Sequence, residues 1–207
     1  MIDHLVQATP DLGATSSDVA AQWGAAVVAG GQHVGFGTRN ELTGLGGGTY
    51  LEIVGPDPSQ PDPAGPRPFG VDDLPAARLV TWCARPARPL DEVRAELVKV
   101  GIDPGPGNAM SRRRPDGVLL EWSLTLPHLD EPHWGVMPFL IDWQHSEHPT
   151  VSLPADATLV TLRLTHPSRD LLSRALWVIG IDDRIELVEG EPAIAAIIDT
   201  PRGSVTL

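Results

Sequence analysis

The 207 residues suffice for one large or two small domains, and 42% hydrophobic with 20% charged residues is a globular composition, which excludes disorder and a membrane-spanning chain. A formal charge of −12 argues against nucleic acid as a partner, because phosphate binding needs a cationic surface. The single cysteine, Cys83, excludes an internal disulfide and a multi-thiolate zinc site, and its apolar neighbours mark it as a small core residue.

The longest apolar run, Ala193 to Ile198, falls far short of the roughly 20 residues a bilayer helix needs. The opening Met1-Ile2-Asp3-His4 shows no basic patch followed by an apolar stretch, so no secretion signal is expected and the cytoplasm is the expected location.

Ile2 to Ala8 reads as a strand, ended by Pro10 and Gly13. Asp11 to Val28 then reads as a helix from its spaced apolar positions Val19, Trp23 and Val27, with Ser16 or Ser17 as alternative caps for a later start. Gln32 to Phe36, Glu41 to Leu45 and Thr49 to Val54 read as three strands separated by a Gly37 to Asn40 turn and by Gly46, Gly47 and Gly48. The stretch Pro56 to Pro75, rich in proline, glycine and aspartate, is expected to be irregular and to bound the first module.

The order then repeats. Arg78 to Ala84 is strand-like, Leu90, Val93, Leu97 and Val100 mark an amphipathic helix closed by Gly101, and Asn108 to Arg113, Val118 to Thr125 and Met137 to Trp143 follow as strands. A third segment offers a strand over Thr158 to Leu164, a helix over Ser168 to Ile179, and short strands at Ile185 to Val188, Ala193 to Asp199 and Ser204 to Leu207. The order βαβββ thus appears three times, with modules over 1–56, 77–150 and 151–207 and a linker over 57–76. An odd number of modules leaves one without an internal partner, for which a symmetric homodimer is one solution.

Several side chains stand out. His33 and Asn40 flank the glycine-rich Gly35-Phe36-Gly37-Thr38, either as hairpin hydrogen-bonders or as ligand contacts. Arg112, Arg113 and Arg114 form a basic cluster in an acidic chain; alternation sends Arg112 and Arg114 to one side, where they could clamp a carboxylate or phosphate, with Trp122 and Trp143 as flat walls. The bland alternative is a solvated turn. Around Gln144-His145-Ser146-Glu147-His148 no helix supports a metal spacing, so His145 reads as surface loop, while His148, just past a strand, stands as a candidate substrate contact.

The stretches Ile2-Asp3-His4-Leu5-Val6, Gly31-Gln32-His33-Val34-Gly35-Phe36-Gly37-Thr38-Arg39-Asn40 and Tyr50-Leu51-Glu52-Ile53 resemble the glyoxalase-like branch of the vicinal oxygen chelate superfamily. So do Arg114-Pro115-Asp116-Gly117 with Leu120-Glu121-Trp122, and Pro138-Phe139-Leu140-Ile141-Asp142-Trp143. The resemblance covers residues 1–150, the remainder matching only in element order. It implies an α+β fold in which tandem βαβββ modules curl mixed sheets around a cleft, helices outside, holding a small-molecule ligand and no nucleotide cofactor. It also implies a divalent metal (Zn, Mn, Fe or Mg) on His4 and Glu52, and strand parity puts Ile2, His4 and Val6 on one face and Tyr50, Glu52 and Val54 on one face. The second module departs from the pattern, with Thr81, Trp82 and Cys83 on its first strand and Asp142 where a Glu is commoner, so the ligand set is His4, Glu52 and Asp142. Isomerase, lyase, dioxygenase-like and hydrolytic chemistry are all open, with Glu52 and His4 as catalytic groups, and so is ligand binding or resistance without chemistry.

Overall fold

The computed structural model describes residues 1–113, 117–126, 135–180 and 182–207, with Arg113 described by its backbone alone. Strand β1 (Ile2–Ala8) is buried along its whole length, because it lies between two neighbours in the sheet and is covered on both faces. Helix α1 (Leu12–Trp23) begins where the Asp11 side chain accepts the Ala14 N–H, and it ends at Gly24, whose φ of 67° the missing Cβ permits. The expected helix over 11–28 therefore stops early, and its cap is Asp11 rather than Ser16 or Ser17.

Val28, the last residue of the expected helix, instead opens β2 (Val28–His33), which pairs with β3 (Thr38–Gly44) and so moves the turn forward to Val34–Gly37. Asn40 consequently sits inside a strand and not in a turn, and Gly35 and Gly37 carry the positive φ angles. After β4 (Tyr50–Pro56), the proline-rich stretch contains a short 3-10 helix, Pro68–Asp73, that buries Val71, where irregular loop was expected.

The second run comprises β5 (Arg78–Ala84), α2 (Leu90–Lys99), β6 (Gly107–Arg113), β7 (Leu119–Thr125) and β8 (Phe139–Asp142). These strands join the first four in one eight-stranded sheet of order β2-β3-β4-β1-β5-β8-β7-β6. In each half the first strand pairs parallel with the last, β1 with β4 and β5 with β8, and the antiparallel β1–β5 pair splices the halves. The sheet curls until its two edges approach: Arg112 on β6 reaches Asn40 on β3 at 3.0 Å and lies against Gly31 on β2.

Alternation sorts the side chains into two cores. Leu5, Leu51 and Ile53 face outward beneath the helices, with Val19 and Trp23 of α1 and Val93 and Leu97 of α2. Val6, Val54, Val80, Phe139 and Ile141 face the concave side. Ile2 joins the outer core and not the face it was expected to share with His4, because the β1–β5 register shifts between Ile2 and His4.

The last run, β9 (Thr158–His166), α3 (Arg169–Ile179), β10 (Ile185–Glu189), β11 (Ala193–Thr200) and β12 (Gly203–Thr206), keeps the βαβββ order and changes its pairing. Here the first strand is central, parallel to β10 and antiparallel to β11, in a separate sheet of order β10-β9-β11-β12. That sheet is tied to the first half by the Ile2 N–H donating to Asp182, the Leu159 N–H to the Leu45 carbonyl and Arg184 to the Thr49 hydroxyl, all near 3.0 Å. Leu172, Leu176 and Ile179 of α3 join the outer core. No helix among the described residues is long and apolar enough to cross a membrane.

Candidate functional site

The concave side of the eight-stranded sheet holds a narrow cleft of about 90 Å³ that opens to solvent. One wall is polar. Tyr50 and Glu52 come from β4, His4 from β1, Asn40 from β3 and His33 from β2, all turned inward by strand alternation. The opposite wall is built by Phe139, Ile141 and Trp143 from the last strand of the second half and Trp122 and Leu124 from its neighbour, with Arg112 as its cation. Phe69 closes one side from the 3-10 helix and packs near Phe139, with centroids 6.0 Å apart. Its φ of 63° is a left-handed conformation that costs a non-glycine residue energy.

Glu52 is 7% exposed, and its surroundings determine which proton sits where. The Asn40 carbonyl oxygen accepts from the Gly31 N–H at 2.8 Å and from Arg112 at 3.0 Å. Both partners can only donate, so the amide orientation is fixed, and its NH2 group donates to Glu52 Oε1 at 2.6 Å and to His33 Nε2 at 3.2 Å. His33 is then neutral with its proton on Nδ1, donating to the Thr38 hydroxyl at 3.0 Å. Burial, together with the nearby Arg112, pushes its pKa down, against the pull of Glu52.

His4 is held on its other nitrogen. Its Nδ1 lies 2.8 Å from Asp3 Oδ1, and its Nε2 faces Glu52 Oε2 across 3.5 Å. Tyr50 stacks on the ring at 4.7 Å and Phe139 meets it edge-on at 5.4 Å, so the imidazole has little freedom to turn. Burial pushes the Tyr50 phenol well above its usual range, which keeps it neutral.

The structure brings His4, His33, Asn40, Glu52, Arg112, Trp122 and Trp143 onto one cleft. Asp142 does not join them: it is exposed, its carboxylate accepts the Gln144 N–H at 2.8 Å, and its neighbours Ile141 and Trp143 take the inward positions. His148 lies behind the cleft, 3.0 Å from Asp3 Oδ2. Arg114 lies outside the described residues, as do His128 and His133.

Sequence reasoning passed over Asp3, Phe69 and Phe139, and saw in Tyr50 only a face-mate of Glu52. The Asp3-His4 dipeptide was visible, yet simple alternation assigns Asp3 to the opposite face, and only the register shift beside it brings its carboxylate to the His4 ring.

The implied divalent metal can be tested against these donors. His4 and Glu52 come from the first half alone, and the facing positions of the second half are Cys83, Phe139 and Ile141, none of which completes a hard-cation shell. Asp3, His4 and Cys83 do bring three ligand-type atoms within 4.8 Å of one another. Those atoms are already engaged or protonated. Asp3 accepts from His4, Trp143 and His148, and burial pushes the Cys83 thiol well above its usual range. Among the described residues, Asp3, His4 and Cys83 are the ones that could hold a metal ion, while His4 and Glu52 alone offer too few donors.

Residues 2–178 match the family model described as Glyoxalase-like domain. No curated protein matches the chain. Among solved structures, a hypothetical protein from Staphylococcus aureus is similar at a TM-score of 0.63 and 14% identity, over 98% of this chain and 91% of that one. Methylmalonyl-CoA epimerase from Mycobacterium tuberculosis gives 0.44 at 17% identity, over 73% of this chain and 90% of that one. A variant of the Streptomyces coelicolor methylmalonyl-CoA epimerase, in complex with 2-nitronate-propionyl-CoA, gives 0.47 at 21%, over 72% and 98%. The family match runs through all eight strands of the curled sheet and on into α3, and the chain belongs to the Glyoxalase-like domain family.

Proposed function

We propose that the cleft is the active site of a proton-transfer enzyme, of isomerase or lyase type, that acts on a small, flat, oxygenated molecule carrying one anionic group. The supporting observation is the buried Glu52 carboxylate, fixed on one oxygen by Asn40 and facing the His4 Nε2 with the other, at the edge of an apolar space. Glu52 removes a proton from a carbon beside an oxygen-bearing carbon, and His4 returns or relays it. Arg112 faces the oxyanion that develops: its Nε is buried without a partner in the described structure, so an incoming carboxylate or enolate oxygen has a donor waiting. Trp122 and Trp143, with ring centroids 5.4 Å apart, offer flat walls to the rest of the ligand.

This chemistry needs no resident metal, since the carbanion's charge falls on Arg112. The test combines elemental analysis of the purified protein with solvent-deuterium incorporation into a panel of 2-oxo and aryl carboxylates. Wild type is expected to exchange at least one panel member, and Glu52→Gln to lose that exchange by about 10²–10⁴-fold at unchanged fold and metal content. Exchange that survives Glu52→Gln, or that vanishes on chelation, removes the proposal.

A second reading has support in the largely apolar second wall: the same cleft binds an aromatic anion without chemistry. Panel members that raise the melting temperature in both wild type and Glu52→Gln, with no exchange in either, select that reading.

A further inference from the structure

We infer that Asp3 is the positioning residue of this cleft: it fixes His4 as the Nδ1–H tautomer, so that the Nε2 lone pair faces Glu52 and is placed to take the proton that Glu52 removes. The proton's use rests on the function proposed above; the tautomer does not.

Asp3 is 0% exposed, a costly place for a carboxylate unless every lone pair is used. Three N–H groups use them. Trp143 Nε1, which can only donate, lies 3.0 Å from Oδ2. His148 Nε2 lies 3.0 Å from the same oxygen, and since His148 Nδ1 accepts the Thr150 N–H at 3.3 Å, it is Nε2 that carries the proton. His4 Nδ1 completes the set on Oδ1 at 2.8 Å. Burial alone would raise the Asp3 pKa, yet the bonds from His148 and His4 hold it well below the usual carboxylate range, so Asp3 is an acceptor only.

An acceptor at Nδ1 dictates a donor there. The neutral His4 ring therefore has its proton on Nδ1 and a lone pair on Nε2, aimed at Glu52 Oε2 3.5 Å away. Glu52 thus faces an acceptor, and a proton that Glu52 has taken from a ligand passes to His4 Nε2 without rearranging either side chain. Arg85, with Nε 3.6 Å from Asp3 Oδ2, and the Met1 ammonium are further cations near Asp3 that favour the ionised carboxylate.

Asp3→Asn inverts this logic without changing shape. Trp143 and His148 both address the Oδ2 position, so the new amide oxygen settles there and its NH2 group faces His4 Nδ1. That nitrogen must now accept, and the proton moves to Nε2, where it is donated permanently to Glu52. The experiment is a long-range ¹H–¹⁵N correlation spectrum of the histidine rings at a pH where they are neutral, with His4 assigned by the signal lost in His4→Gln. Wild type is expected to show Nδ1–H for His4, and Asp3→Asn to show Nε2–H, with kcat for exchange down at least about 10-fold and KM little changed. A wild-type ring in the Nε2–H form overturns the proposal even if no variant folds, and so does Asp3→Asn with His4 unaltered. A changed tautomer with unchanged exchange leaves Asp3 in its role and counts against the proton chemistry of Glu52 instead.

Discussion

The two walls of the cleft come from two halves of one sheet with the same element order, yet they are chemically unlike. The first half supplies His4, His33, Asn40 and Glu52, joined by hydrogen bonds whose donors and acceptors can be assigned one by one. The second supplies Phe139, Ile141, Leu124, Trp122 and Trp143, and a single charge, Arg112. The parallel pairs at the heart of each half make the contrast plain: β1 and β4 place His4 and Glu52 on the concave side, where β5 and β8 place Cys83 and Phe139. Duplicated architecture thus carries divided labour. One wall decides where protons reside, while the other expels water and so strengthens every charge interaction across the space.

Asn40 is the junction, since it holds Glu52 and His33 on one side and Arg112 on the other. Asn40→Ala breaks the comparison most severely. It leaves Glu52 Oε1, His33 Nε2, the Gly31 N–H and Arg112 without their shared partner, and each buried group so orphaned costs about 1–3 kcal/mol. For a chain of this length even the low end of that sum, about 4 kcal/mol, is expected to lower the melting temperature by about 8–16 °C and to abolish exchange. Calorimetric melting together with the deuterium assay measures both. A loss of less than about 2 °C means that the two walls are not coupled through this amide.

A milder pair of changes separates the walls. A Cβ on Gly31 would stand 2.5 Å from Arg112 Cδ, so Gly31→Ala pushes the guanidinium aside, while Arg112→Met removes its charge and keeps its apolar stem. Both are expected to weaken binding of an anionic panel member by about 10–100-fold, the worth of a hydrogen bond to a charged group, with kcat changed far less. A Cβ on Gly30 would instead stand 2.1 Å from Asn40 Oδ1, with Arg112 Nη1 next at 2.9 Å, so Gly30→Ala strikes the polar wall hardest. Its loss should fall on kcat. If the neighbouring glycines give the same kinetic signature, the division between the walls is wrong.

The polar wall was more legible in the sequence than the apolar one. Strand period two puts Tyr50 and Glu52 on one face of a short apolar strand whatever the fold, and the glyoxalase-like pattern supplied His4 as the partner. The 30–37 stretch was misread in register because its four glycines allow several turn positions, and only pairing with β3 selects one. Phe69 was hidden in a proline-rich stretch whose composition reports irregularity but not what it covers. Asp142 read as a ligand because its strand could be found and its phase could not: a strand of four residues leaves the inward face undetermined until Ser123 opposite fixes it. The third run shows the broadest limit. Its element order was readable, but order does not dictate pairing, and β9 took the centre of its sheet where β1 pairs with the last strand of its own run.

The four-stranded sheet of that third run lines no part of the cleft, and its connection to β1 gives the smallest of these effects. Asp182 accepts the Ile2 N–H at 3.0 Å and Arg184 at 2.7 Å, and despite the burial that would raise it, these bonds lower its pKa to about 2 from 3.8. The unfolded chain therefore binds the Asp182 proton first as the medium is acidified. The stabilisation is present in full above about pH 4 and is lost as pH falls through 2. Asp182→Asn keeps an acceptor for Ile2 and loses the ion pair, so it is expected to cost about 1 kcal/mol near neutrality and less as acid is added. Denaturant midpoints between pH 2 and pH 7 check the slope. Exchange at neutral pH should match wild type, because β1 keeps its two sheet neighbours. If exchange falls together with stability, the four-stranded sheet does more than brace the polar wall from behind, and the contrast drawn between the two halves must be widened to the third run.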